Sequence, residues 1–144
     1  MGISSLKAAT ILTLLGGASI PGRLVMGRVS DIIGRKRAGI VSALFMAAAM
    51  FLLMGGSNLW ILYIFGIIFG LFYGAIDPPI VAVVGDVFGL RHIGVIMGVL
   101  VVGWSAGAAI GPALAGYIFD VVGNYVFAFL VGAVAMLIAA VLIF

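Results

Sequence analysis

The 144 residues are 66% hydrophobic and only 8% charged, with a net charge of +3 and a mean hydropathy of +1.46. Soluble domains sit near about 45–50% apolar and about 25% charged, so a water-soluble globular domain is excluded. Cysteine is absent, which also excludes a disulfide framework, thiol chemistry and a cysteine-ligated metal site.

Charge-free stretches run through Ala8–Gly22, Ala38–Ile76, Ile93–Phe119 and Val121–Phe144. In hydrocarbon every backbone polar group must be satisfied within the chain, and unbroken apolar runs rather than alternation point to helices. A span needs about 20 apolar residues, with breaks at charge clusters or at Gly, Asn and Ser turns. The first predicted helix covers 6–30 and ends at Asp31-Ile32-Ile33-Gly34-Arg35-Lys36-Arg37. The second covers 38–54, before the turn Gly55-Gly56-Ser57-Asn58. A third runs over 59–84, bent at Pro78-Pro79. Asp86 to His92 forms the next polar connection, and the fourth helix spans 94–119. Asp120-Val121-Val122-Gly123-Asn124 closes it, and the last helix spans 125–144. The expected fold class is all-α, a polytopic membrane protein of about five transmembrane helices in a single transmembrane domain over 1–144.

Basic residues accumulate on cytoplasmic loops. Arg28, Arg35, Lys36, Arg37 and Arg91 follow the first and third helices, whereas the other side holds only Lys7. This predicts an integral protein of the cell membrane with a cytoplasmic C-terminus. It also accounts for the basic balance without nucleic acid. The N-terminus lacks a signal-peptide cleavage pattern, so the first helix is expected to be retained. With the N-terminus outside, the chain is expected to be cut short at its start.

The most specific motif is Gly27-Arg28-Val29-Ser30-Asp31-Ile32-Ile33-Gly34-Arg35-Lys36. Gly27 suits a close helix crossing, Gly34 a tight turn, and Asp31 accepts hydrogen bonds from Arg35 or a neighbouring helix N-terminus. The run resembles the G-x-x-x-D-x-x-G-R-K signature of the major facilitator superfamily, in which a charge cluster gates two helical bundles. Where that family usually has a basic residue after the aspartate, this chain has Ile32. Gly103, Gly107, Gly111, Pro112 and Gly116 form a small-residue stripe in the fourth helix, and Gly66, Gly70 and Gly74 repeat it in the third. Such spacing lets helix backbones approach closely.

The run from Gly111-Pro112 through Gly116, Asp120, Gly123 and Tyr125 to Ala128-Phe129 resembles the eleventh and twelfth helices of the monocarboxylate and oxalate/formate transporter branch. The chain as a whole is similar to helices eight to twelve of that fold. A placement as helices two to six fits less well, because the third helix lacks the arginine that half carries near its start. The resemblance implies a partial C-terminal bundle, to be completed by missing N-terminal helices or a second chain.

Two ionisable groups fall inside spans, where they are functional candidates by default. Arg23 shares a small, polar helical face with Gly16, Ser19, Gly27 and Ser30. The resemblance implies that Arg23 binds a substrate carboxylate, a role suited to the bidentate guanidinium. The same family carries a coupled proton on an aspartate one turn earlier, where this chain has Ser19. Asp77 precedes the proline pair, and by residue count both charges lie roughly 12–14 Å into the membrane. Asp77 is therefore expected to neutralise Arg23 until an anion displaces it or a proton binds. Snorkelling of Arg23 to the interface and local capping by Asp77 are the plainer readings of the same residues. Tyr73 and Trp104 are further cavity candidates, or simple packing residues.

The expected function is secondary transport of a small solute, an organic anion such as a monocarboxylate, by alternating access. The expected partners are the lipid bilayer and a small-molecule substrate with a coupled proton. No cofactor or metal is required, since His92 is a lone loop histidine. One alternative is a partner-dependent fragment without transport of its own. A lipid-active enzyme would need clustered acids or a nucleophile, and the only acids are four dispersed aspartates.

Overall fold

Glycines, more than charges, set where the helices end. In a computed structural model, which describes residues 5–56 and 58–143, the apolar runs form α1 (Ser5–Ile33), α2 (Arg35–Met54), α3 (Leu59–Phe88), α4 (Ile93–Val122) and α5 (Val126–Ile143). All five are long and apolar enough to cross a membrane. A short 3-10 turn, Leu90–His92, joins α3 to α4. Residues 1–4, Ser57 of the predicted second turn and Phe144 at the predicted end of the last helix lie outside the described residues.

Helices α1, α3 and α4 each run past the aspartate expected to stop them and end at the next glycine. Those glycines, Gly34, Gly89 and Gly123, have φ of 92°, 73° and 76°. A residue with a Cβ pays a steric penalty there, and a carboxylate in the last turn does not break a helix. At Gly123 the left-handed cap is closed by its N–H donating to the Phe119 carbonyl at 2.8 Å. The side chain of Asn124 then accepts from the Val126 N–H at 3.1 Å, starting α5.

Helices α1 and α3 are packed backbone to backbone. A Cβ added at Gly66, Gly70 or Gly74 would meet the backbone of Ile11, Leu15 or Ser19 respectively. Each α3 glycine thus faces the α1 residue 55 positions earlier, a constant offset that makes the two helices parallel. Gly22 of α1 likewise lies against the Leu71 backbone. This is the close crossing that small residues permit. Gly27, expected at such a crossing, has ordinary room, because an added Cβ would stand 3.9 Å from Pro78 Cβ.

Helix α2 packs on α3 and on α5. Phe45 and Phe72 stack at 4.3 Å across the first contact. Across the second, Gly39 faces Ile143 and Gly132 faces Met50. Eleven residues forward along α2 match eleven back along α5, so these two helices are antiparallel. Met26, Ala38 and Ala75 form a buried cluster where α1, α2 and α3 meet, with Val29 and Phe72 against it. The buried hydroxyls of Ser30 and Ser42 donate to the carbonyls of Gly27 and Ala38 in their own helices.

Helix α4 is held differently. None of its residues is buried. It is fastened by an edge-to-face contact of Trp104 with Tyr73 at 5.5 Å, and by the stack of Phe119 on Tyr125 at 4.4 Å just beyond its end.

Candidate functional site

The parallel register of α1 and α3 brings residue 23 beside residues 77 and 78. Arg23 Nη2 stands 2.8 Å from Asp77 Oδ2, linking the two charges inside the spans. The arginine side chain is 56% exposed and the carboxylate 25%. In a bilayer such a pair is tolerated only beside polar surroundings or other protein, because lipid solvates neither group. The site is therefore an open face of the α1–α3 unit.

Prolines soften the backbone around the pair. Pro21 lies inside α1, and Pro78 and Pro79 inside α3. Lacking N–H groups, the two α3 prolines leave the carbonyls of Gly74 and Ala75 without the usual helix donor. Ser19 spends its hydroxyl on the Gly16 carbonyl at 2.7 Å, and its backbone is covered by Gly74.

Tyr73 and Trp104 lie elsewhere. They line an apolar cavity of about 750 Å³ between α4 and the rest of the bundle, whose walls include Met46, Ile76, Gly111 and Met136. Arg23, Asp77 and Ser19 do not border that cavity. Gly107 and Gly111 face it across open space, and an added Cβ at Gly103, Gly107, Gly111 or Gly116 meets nothing within 4 Å. The α4 stripe thus packs on no backbone among the described residues, unlike its counterpart in α3. Pro112 continues within α4 without ending the helix.

At the other end of the bundle the signature loop forms a second charged centre. Arg35 is paired with Asp86 at the end of α3, and its Nη1 donates to the Ala82 carbonyl at 2.9 Å. The Arg35 side chain is 33% exposed and Asp86 60%. The guanidinium therefore clamps the start of α2 to the end of α3. Asp86 and Ala82 were not among the residues expected to act with this loop. Their signal was positional, since residue 86 ends its span on the side where the loop begins. Arg28, Asp31, Lys36 and Arg37 are exposed around the clamp.

The Major Facilitator Superfamily model matches residues 1–144. Monocarboxylate transporter 12 of Xenopus laevis is 28% identical over 148 residues, covering 99% of this chain and 32% of the relative. The protein of the same name from Rattus norvegicus is 27% identical over 147 residues, 99% of this chain and 30% of the relative. Multidrug resistance protein MdtG of Proteus mirabilis is 34% identical over 97 residues, 67% of this chain and 24% of its own length. The chain therefore spans a third or less of the curated relatives named here. No solved structure matches it.

Proposed function

This chain belongs to the major facilitator superfamily, in the monocarboxylate transporter branch, and from that premise we propose that it forms part of a secondary transporter for a small organic anion. The observation that carries the proposal is the Arg23–Asp77 pair, 2.8 Å apart inside the spans with the guanidinium more than half exposed. A guanidinium offers two parallel N–H donors, the geometry a carboxylate accepts. In the empty site Asp77 occupies Arg23. An incoming monocarboxylate takes over those donors, and the charge freed on Asp77 is neutralised by a proton. The proton thus travels on α3, because Ser19 cannot carry one and its hydroxyl is bound to Gly16.

The solute path is completed by helices outside these residues. The open face at Arg23 and the absence of buried residues in α4 both support this division, since transporter sites form between repeats. The same observations favour a second reading, in which the chain moves no solute until a partner supplies those helices. The proposed setting is the cell membrane, with the C-terminus on the cytoplasmic side with the basic loops.

The test is uptake of labelled monocarboxylates, dicarboxylates and sugars by cells expressing the gene that encodes these residues. Monocarboxylate uptake is expected, with Arg23→Ala abolishing it and Arg23→Lys retaining a fraction. Sugar uptake indifferent to Arg23→Ala would overturn the anion assignment. Unchanged transport and pH dependence in Asp77→Asn would remove Asp77 from the mechanism.

A further inference from the structure

The end of α1, the start of α2 and the end of α3 enclose a cavity of about 590 Å³ at the boundary of the spans. Its lining carries three basic side chains, Arg35, Lys36 and Arg37, against the two acids Asp31 and Asp86. Arg35 is already committed to Asp86 and to the Ala82 carbonyl. Lys36 and Arg37 stand exposed at the rim, so the lining has an excess of one formal positive charge. The remaining walls include Ile33, Val83 and Val87, and these apolar side chains are continuous with the outer surface of α1 and α3.

We propose that this cavity binds the headgroup of an anionic phospholipid, with Lys36 and Arg37 on the phosphate and the apolar wall against the glycerol and upper acyl chains. A monoanionic phosphodiester balances the excess charge of the lining. Basic pockets between membrane helices recognise lipid phosphates in this way. Gly34 precedes α2 without any side-chain cap, so the first amides of that helix add donors on the same side. A soluble anion has no use for the apolar wall, whereas a lipid uses both surfaces. The bound lipid would join three helix ends that only the Arg35 clamp otherwise connects. The inference does not depend on the solute.

Electron spin resonance of the chain in bilayers, with spin-labelled phosphatidylglycerol or phosphatidylcholine, tests the proposal. Phosphatidylglycerol is expected to be motionally restricted in preference to phosphatidylcholine, and the preference should fall about fivefold for each basic residue removed in Lys36→Gln and Arg37→Gln. Val87→Glu places a negative charge in the same wall without touching the basic residues and should also abolish the preference. Arg28→Gln with Arg91→Gln, outside the cavity, should leave it in place. Equal restriction of the two lipids overturns the proposal, as does retention of the preference in the Lys36 and Arg37 variants. A comparable loss in the Arg28 and Arg91 variant would assign the effect to general surface charge. Displacement of the lipid by millimolar inorganic phosphate would make this a soluble-anion site.

Discussion

Replacing Gly70 and Gly74 together by alanine should separate α1 from α3. A Cβ at Gly70 would lie 2.8 Å from Leu15 Cα, and one at Gly74 would lie 2.8 Å from Ser19 Cα. Non-bonded carbons settle at about 3.5–4.0 Å, so the helices must part by roughly 0.7–1 Å. The obstructing atoms are backbone, and no rotamer change relieves them. Overpacking of this kind costs about 1–3 kcal/mol per site, offset by about 0.5–1 kcal/mol per site for replacing a helical glycine. The double variant should therefore lose about 1–4 kcal/mol of stability. The same double substitution at Gly107 and Gly111 meets nothing within 4 Å and should retain only the small helical gain. Thermal unfolding of the purified chain in detergent, followed by circular dichroism, gives the comparison. Equal destabilisation by the two double variants, or none by the α3 pair, would refute the argument from backbone contact.

Because the chain has no cysteine, Met50→Cys with Gly132→Cys gives a clean cross-linking pair. A short bifunctional thiol reagent should join them within one chain, and Met50→Cys with Gly98→Cys should remain unlinked. Arg35→Ala removes both the Asp86 ion pair and the bond to the Ala82 carbonyl, and should lower thermal stability by about 1–3 kcal/mol. Asp86→Asn removes only the exposed ion pair and should cost less than about 1 kcal/mol in the same measurement.

The number and order of the helices were legible because hydropathy alone forces them: no other structure buries such long charge-free runs. Their ends were not, because Asp31, Asp86 and Asp120 were taken as stops, while positive-φ glycines decide. The meeting of Arg23 and Asp77 was readable from depth, since both are counted from span ends on the same side. The position of Tyr73 was not. Which face of α3 meets α1 depends on the glycines at 66, 70 and 74, and Tyr73 faces Trp104 instead. The stripes in α3 and α4 look alike in sequence, yet only one is filled. Four-residue spacing says that a backbone fits a groove, not which backbone arrives.

The contacts along α1 and α3 also constrain how the ion pair can open. Sliding α3 by one residue would bring the side chains of Phe69 and Tyr73, or of Leu71 and Ala75, to positions where the backbones of Leu15 and Ser19 leave no space for a Cβ. The two helices therefore keep their register, and Arg23 and Asp77 stay at the same depth. On the proposed transport reading, the pair separates by side-chain rotation as an anion competes for the guanidinium, not by helix sliding. Larger motion falls to α4, which buries no residue and is held by aromatic contacts beside a cavity of about 750 Å³. Stability is lowest where few apolar contacts must be broken, so the fold separates a rigid anion-binding unit from its most loosely held helix.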